Sequence, residues 1–336
     1  MKKLTVLLLV VLIGILSFSA GCAPKEEEVE TPEFKLAALF PGSIQDADYN
    51  AIGYIALQET GNMYDIKTAY SEKVAVPDAE RVLKEYANDG YNIIWVHGNQ
   101  FNGAALKIGD DYPDVTFVIE VDDEPAEKKA NFWYIDRNFY TGFYILGALA
   151  GLKTETGNIG YLGGLALPFT NGEINAVKQG IRDVDSDATL QYIFVGDFND
   201  PLKTRQAAEG LISKNIDVIL SSVNLGNYGL FNAVKEAGRP VYITTKYTDK
   251  EIQAPDNYLT SDLFDFAVPI KEIVGKILDG EKGGFINLDY GKGKARYAQF
   301  PISNVSEEIQ ARIQQIADDV EAGKIDIVKN LAEILP

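Results

Sequence analysis

The chain has 336 residues, which is enough for two domains of ordinary size, and its composition is that of a soluble globular protein. A net charge of −18 at neutral pH argues against nucleic acid as a partner, because phosphate backbones are repelled by an acidic surface. The single cysteine, Cys22, excludes an intrachain disulfide, and one histidine, His97, is too few for the usual His/Cys metal centres.

The N-terminus has the pattern of an export signal. Lys2 and Lys3 precede an apolar run from Leu4 to Phe18, which is too short to span about 30 Å of hydrocarbon comfortably. Small residues follow and lead directly to Cys22, as in bacterial lipoprotein signals, where cleavage before the cysteine leaves a thiol that carries lipid. We therefore predict a signal peptide over residues 1–22 with lipid attachment at Cys22; an uncleaved anchor helix is the alternative.

The next segment, residues 23–33, is acidic, contains two prolines and has no apolar periodicity. Such a segment buries too little apolar surface to fold by itself. We predict a flexible tether that holds the folded part of the chain away from the membrane.

From Phe34 to about residue 137, short apolar runs alternate with amphipathic segments. Apolar runs bounded by turn residues predict buried strands, and apolar residues three and four apart predict helices. The predicted strands cover 34–40, 64–70, 92–96, 115–119 and 132–135, and the predicted helices cover 50–60, 78–89 and 104–112.

The same rhythm restarts after residue 137. Helices are predicted over 140–152, 173–184, 201–214, 230–237 and 269–278, with strands over 158–162, 190–195, 218–220, 241–243 and 257–261. Strands that alternate with helices indicate parallel sheets covered on both faces. We predict an α/β protein of two doubly wound, Rossmann-like lobes joined by a hinge: 34–137 plus about 248–285, and 138–247 plus about 286–336. Ligands of such sheets bind beyond the carboxyl ends of the strands.

Five segments at or near these strand ends carry a family resemblance: Asp46–Asn50 (D-x-x-F-N in the family), Phe143–Gly151 (Y-L-A-G-x-x-A), Gly157–Gly164 (G-x-V-G-F-x-G), Phe198–Lys203 (F-x-D-P-x-K) and Ala254–Ser261 (A-P-D-x-x-L-T-S). Together they resemble the basic membrane protein (BMP) family of solute-binding lipoproteins, which includes purine nucleoside receptors and adenine-binding relatives. The resemblance implies a type I periplasmic-binding-protein fold, an ABC permease as membrane partner, and a monomer without cofactor, metal or catalytic residues.

The family's purine sites clamp the base between two aromatic rings, and the matching residues here are Tyr49 and Phe198. A flat ligand between two rings gains stacking on both faces. Asn50 matches the family's base-contacting asparagine, although a helix N-cap is equally compatible with its position. Asp46 is a candidate acceptor for an amino or hydroxyl group of the ligand, or a solvated loop acid.

Three further amides follow predicted strands and are candidates to line the cleft: Asn99, Gln100 and Asn224. Nucleoside-binding members carry a ribose-binding aspartate after the strand that ends here near Ile243, and Lys246 falls at about that place. Since an ammonium group accepts no hydrogen bond, the substitution favours a free base over a nucleoside. It also leaves an anionic ligand open.

The sequence therefore predicts an extracytoplasmic, lipid-anchored solute-binding protein that delivers a purine-type base or nucleoside to an ABC importer. A sensory receptor that presents its ligand to a membrane kinase or regulator has the same fold and cleft. An extracellular enzyme that acts on nucleosides needs two carboxylates set across the scissile bond, and the nearest acids, Asp46 and Asp48, lie on one loop.

Overall fold

The computed structural model describes residues 33–184 and 187–336. The predicted signal peptide, Cys22 and residues 23–32 of the predicted tether lie outside these ranges. Within them, no helix combines the length and the apolar character needed to cross a bilayer.

The first lobe is built on a six-stranded sheet in the order β11-β5-β4-β3-β1-β2, and all its neighbouring strands are parallel. Its strands are β1 (Lys35–Leu39), β2 (Lys67–Ser71), β3 (Ile93–Val96), β4 (Thr116–Val121), β5 (Phe132–Asp136) and β11 (Gly284–Asn287). The helices of this lobe are α1 (Tyr49–Tyr64), α2 (Ala79–Asn88), α3 (Asn102–Ile108) and α8 (Ala267–Leu278).

The second lobe repeats this plan with a sheet in the order β12-β10-β9-β8-β6-β7, parallel except for the β10–β12 pair. Its strands are β6 (Asn158–Gly163), β7 (Thr189–Phe194), β8 (Val218–Ser222), β9 (Tyr242–Tyr247), β10 (Tyr258–Phe264) and β12 (Arg296–Ala298). Its helices are α4 (Phe139–Lys153), α5 (Pro168–Asp183), α6 (Pro201–Ile212), α7 (Asn227–Lys235) and α9 (Glu307–Glu321). The predicted architecture of two doubly wound α/β lobes is confirmed.

Apolar strands divide their side chains between the two faces of each sheet. In β1, Leu36 and Ala38 belong to one apolar cluster, whereas Ala37 and Leu39 belong to another on the opposite face. This alternation follows from the two-residue period of a strand. A central parallel strand therefore reads as a continuous apolar run, since helices cover both of its faces.

The chain passes between the lobes three times: between β5 and α4, between β10 and α8, and between β11 and β12. The second passage corrects the predicted lobe boundary. Residues from about 248 were expected in the first lobe, but β10 (Tyr258–Phe264) pairs with β9 in the second sheet. Only from α8 onward does the chain rejoin the first lobe, where Ile270 and Val274 enter its core.

Helices α4 and α5 lie unusually close because glycines occupy their contact. A Cβ on Gly180 would lie 2.1 Å from the carbonyl oxygen of Tyr144, and one on Gly147 would lie 2.5 Å from that of Val177. Backbone atoms cannot yield to such a group as a flexible side chain can. The short distance between the two helices therefore depends on residues that lack a side chain.

Substituting Gly180→Ala is expected to lower the free energy of unfolding by about 1–3 kcal/mol, because it overpacks this helix contact. Gly210→Ala is the matched control: it also lies in a helix, α6, but its new methyl group meets nothing within 4 Å. That change should raise stability by about 0.5–1 kcal/mol through helix propensity. Urea denaturation of both variants measures the difference, and equal stabilities would contradict the packing argument.

Candidate functional site

A cavity of about 160 Å³ lies between the lobes, at the carboxyl ends of the central strands. The strand orders place a topological switch point between β1 and β3 and another between β6 and β8. Loops that leave a sheet at such points diverge, so a crevice opens between them. The lining residues come from these loops: Pro41, Gly42, Tyr49, Asn50, Asn99 and Gln100 on the first lobe, Leu167, Phe169, Phe198, Asn199, Asn224 and Tyr247 on the second, and Arg137 and Phe139 at the first interlobe passage.

The two residues predicted to clamp the ligand, Tyr49 and Phe198, line this same cavity from opposite lobes. The ring of Tyr49 stacks on His97 with centroids 3.8 Å apart, and its hydroxyl donates to Glu120. Only the opposite face of Tyr49 is therefore available to a ligand. Phe198 is half-buried and lies nearly parallel to Phe169, with centroids 6.3 Å apart.

His97 holds Tyr49 in place from behind. Its Nδ1 lies 2.6 Å from a Glu120 oxygen and its Nε2 lies 2.9 Å from the carbonyl oxygen of Tyr49. Burial alone would raise the pKa of Glu120, but the His97 ring and neighbouring donors hold that pKa below its ordinary value. The first wall of the cavity is thus a fixed ring on a hydrogen-bonded support.

Asp46 does not line the cavity. Its carboxylate instead binds backbone amides at the start of α1. Its carboxylate accepts from the backbone amides of Asp48, Asn50 and Ala51 and from the Asn50 side chain. Carboxylates are favoured there because the first amides of a helix lack partners and carry partial positive charge. The predicted contact between Asp46 and the ligand therefore differs from the structure, in which its oxygens are already engaged.

Asn50 lines the cavity while it shapes the loop after β1. Its Oδ1 accepts from the Gly42 amide at 3.0 Å and its Nδ2 donates to Asp46 at 2.6 Å. A side-chain amide has two N–H groups, so one donor remains. The alternative role of a helix N-cap is wrong, because Asp48 occupies the cap position and Asn50 is the second residue of α1. Contact between Asn50 and a ligand stays a prediction.

The other predicted amides also lie on the cavity wall. Asn99 donates to Asp122 at 3.0 Å. In the described part of the chain, the side chains of Gln100 and Asn224 make no hydrogen bond, so their donors and acceptors are available to a ligand. The backbone amide of Asn224 donates to the carbonyl of Phe198 at 2.9 Å, which ties two cavity loops together.

Lys246 does not line the cavity, contrary to the expectation that it meets the ligand. It is fully buried behind the aromatic wall, 4.6 Å from the Phe139 ring centre and 5.1 Å from that of Phe169. Its ammonium lies 3.1 Å from Glu173, which also accepts from the Tyr161 hydroxyl. Burial lowers the pKa of Lys246, and the Glu173 charge opposes that effect. Lys246 therefore forms an ion pair inside the second lobe and does not reach a ligand in the cavity.

Arg137 and Tyr247 are among the lining residues that were not predicted from the sequence. Arg137 follows β5, and its Nε and Nη2 donate to Asp122 while its guanidinium lies 4.5 Å from the Phe139 ring centre. Tyr247 ends β9 with φ of +76°, a left-handed conformation that is uncommon for a non-glycine residue and often marks functional sites. Arg137 could have been predicted as a cavity residue because it directly follows a strand. The left-handed backbone conformation of Tyr247 could not be predicted, because a tyrosine rarely adopts it.

A buried ion pair joins the lobes beside the cavity. Lys250, after β9, donates to Asp48, before α1, at 2.6 Å, and Thr248 donates to the carbonyl of Ala47 at 2.9 Å. Burial raises the pKa of Asp48 to about 7, although Lys250 pulls it down. Asp46 adds a further repulsive charge and Lys246 an attractive one.

This pair predicts a pH effect of defined sign. A carboxyl whose pKa is about 7 in the folded protein and 3.8 in the unfolded chain binds more protons when folded, so its contribution to stability falls as pH rises from about 4 to 7. We expect wild type to lose stability relative to Asp48→Asn over this window, by at most about 1.4 kcal/mol per pH unit. Chemical denaturation across pH measures the slope. Asp114→Asn, at an almost fully exposed carboxylate, is the control that should run parallel to wild type.

A larger groove of about 770 Å³ lies in the second lobe, between β12 and α9, with Tyr290, Tyr297 and Phe300 on its walls. It lies away from both switch points and is built from one lobe alone. A ligand there would not be enclosed by closure of the two lobes. The interlobe cavity is therefore the candidate site.

The sequence is similar to known transport proteins. Residues 34–324 match the Bmp family, described as ABC transporter substrate-binding protein PnrA-like. A Haloferax volcanii protein, provisionally named an ABC transporter glucose-binding protein, is 26% identical over 94% of this chain and 78% of its own length. A purine-binding protein of Brucella abortus is 23% identical over 78% of this chain and 73% of its own length.

Among solved structures, an ABC transporter solute-binding protein from Aeropyrum pernix aligns with a TM-score of 0.74 at 17% identity. The alignment covers 88% of this chain and 93% of that one. At this identity the likeness concerns the fold alone. It shows that the two chains share the same two-lobed α/β fold.

Proposed function

Because this chain belongs to the Bmp family of PnrA-like ABC transporter substrate-binding proteins, we propose that it captures a purine-type base in the interlobe cavity and delivers it to an importer. The observation that supports this proposal is the composition of the cavity wall. Aromatic rings from both lobes, Tyr49 and Phe198 among them, surround a space rimmed by side-chain amides. Rings recognise flat faces, and amides recognise the polar edge of a heterocycle.

The size of the cavity supports a small ligand. Apolar cavities of about 150 Å³ in other proteins hold one benzene ring, and the interlobe space measures about 160 Å³. This conformation therefore has room for a single flat ring system and little besides. A purine fits that description better than a purine with an attached sugar.

The polar chemistry also favours a base over a nucleoside. A pair of ribose hydroxyls is best held by a carboxylate, which accepts two hydrogen bonds. Among the described residues that line the cavity, none is an aspartate or glutamate. Lys246, at about the place of the ribose-binding aspartate, is committed to Glu173. The same lining contains no carboxylate pair of the kind that glycoside hydrolysis requires.

The remaining parts of the proposal concern attachment and partners. The N-terminal pattern supports export, lipid attachment at Cys22 and a tether over residues 23–33. A lipid anchor keeps a receptor close to a permease in the membrane, because tethering raises its effective concentration there. We propose that the receptor acts as a monomer, without cofactor or metal.

Native mass spectrometry of the purified protein, followed by a thermal-shift panel, tests the proposal. The panel contains nucleobases, nucleosides and glucose, since one relative is named for glucose. Purine bases should raise the melting temperature most, by mass action on the folded state. A shift with glucose and none with any purine would reject the proposed ligand class.

A further inference from the structure

Arg137 is the one residue with a permanent charge among the described residues that line the interlobe cavity. Its side chain is 5% exposed, so its placement there is fixed by protein contacts rather than by solvent. Buried arginines are held by partners that use part of their five N–H groups. The N–H groups that have no protein partner determine which acceptor groups a matching ligand needs.

Asp122 engages one side of this guanidinium. Its Oδ1 accepts from Nε at 2.9 Å and from Nη2, while its Oδ2 accepts from Asn99. Burial lowers the pKa of Arg137, but the charge and hydrogen bonds of Asp122, together with the nearby acidic groups of Tyr49 and Glu120, outweigh burial and raise that pKa above its ordinary range. The arginine is thus a permanent donor, and its charge is already balanced by a partner.

The end of the guanidinium formed by Nη1 and the second N–H of Nη2 has no hydrogen-bond partner within residues 33–184 and 187–336. Two parallel N–H groups on a rigid fork match two neighbouring acceptors. Because Asp122 balances the charge, the matching ligand does not have to be an anion. The side-chain amides of Asn50 and Asn99 are partly used by Gly42, Asp46 and Asp122. Those of Gln100 and Asn224 stay available for other polar atoms of the base.

We propose that Arg137 determines specificity by donating hydrogen bonds to the exocyclic oxygen and the neighbouring ring nitrogen of a purine, so that the site selects 6-oxopurines over 6-aminopurines. This inference rests on the proposed purine-binding function and goes beyond it in naming the substituent. Arginine donates two hydrogen bonds to a 6-oxopurine, one to O6 and one to N7. In adenine an amino group stands in place of O6, so an N–H of the arginine would face another donor there. The stacking rings treat both bases alike, so discrimination falls to the polar edge.

Titration calorimetry with hypoxanthine, adenine and unsubstituted purine tests this inference in wild type and in Arg137→Lys. Lysine keeps the charge beside Asp122 but lacks the planar fork. Wild type should bind hypoxanthine at least about tenfold more tightly than adenine, and Arg137→Lys should reduce this ratio to near one. Arg81→Lys, at an exposed surface ion pair, is the matched control and should keep the ratio of wild type.

The outcomes separate this inference from the function on which it rests. If wild type binds adenine as tightly as hypoxanthine, or if Arg137→Lys keeps the preference, the role of Arg137 is wrong while purine binding stands. If none of the three bases binds, the proposed function itself fails. Should Arg137→Lys unfold, the double variant Arg137→Met/Asp122→Asn removes both charges together and should show the same loss of preference.

Discussion

Replacing Phe198 by alanine is expected to weaken purine binding by about 5- to 150-fold, because stacking on one aromatic ring contributes about 1–3 kcal/mol per base. Phe198 lies on the loop after β7, half-buried, and its ring packs over Gly164 and beside Phe169. The substitution removes one wall of the cavity, and because Phe198 packs against the core cluster only from its partly buried edge, the fully buried residues keep their places. Titration calorimetry with a purine base measures the loss.

A second variant displaces the ring without removing it. A Cβ on Gly164 would lie 2.2 Å from the Phe198 ring, so Gly164→Ala should push the ring aside and weaken binding in the same direction. Tyr192→Ala is the control, since Tyr192 is an exposed aromatic on β7 outside the cavity. Unchanged affinity in both Phe198→Ala and Gly164→Ala would show that the ligand does not stack on this ring.

The substitution Arg296→Met is expected to lower the free energy of unfolding by about 3–5 kcal/mol, because it leaves a buried carboxylate, Asp262, without its partner. Arg296 is fully buried, and besides Asp262 it donates to the carbonyl oxygens of Arg137, Asn138 and Phe139. These carbonyls form the first passage between the lobes. Asp262 lies at the end of β10, beside the second passage, and Arg296 begins β12 after the third.

One side chain thus connects all three segments that join the lobes, so the loss should be larger than at a surface pair. Urea denaturation measures it, with Lys282→Met at an exposed ion pair as the control that changes stability by less than about 0.5 kcal/mol. The double variant Arg296→Met/Asp262→Leu should recover part of the loss, since removing both charges leaves none buried and unpaired. A double variant no more stable than Arg296→Met would place the effect in the carbonyl contacts.

Much of the fold was predictable because central parallel strands are short apolar runs that alternate with helices. The run at 92–96 became β3 (Ile93–Val96), and that at 218–220 became β8 (Val218–Ser222). Helix ends were also readable where a cap is local. Asp200 accepts from the Lys203 amide at 3.0 Å, directly before Pro201 at the start of α6.

The chain after residue 278 was predicted poorly. Strands β11 and β12 have four and three residues, too few to show a period. Helix α9 was not predicted, although its sequence has a typical helix pattern. Ser306 caps its N-terminus, and Ile313 and Ile316 lie on its buried apolar face. The misplaced lobe boundary has another cause. Whether β10 pairs with the first or the second sheet is decided by tertiary contacts, which a strand pattern in the sequence does not reveal.

The candidate site was predicted in outline because strand ends converge in this fold. Six of the eight predicted ligand-binding residues line one cavity: Tyr49, Asn50, Asn99, Gln100, Phe198 and Asn224. Asp46 and Lys246 do not, because both were assigned from their residue type while their partners, the amides of α1 and Glu173, are set by packing. The same limit concealed the pairing of Arg137 with Asp122.

A crystal structure of the protein with hypoxanthine tests the central claim most directly. The account predicts electron density for the base in the interlobe cavity, with one face on Tyr49, the other on Phe198, and its oxygen within hydrogen-bonding distance of Arg137. Density for the base in the groove between β12 and α9, or in a cavity that one of these rings does not reach, would contradict it.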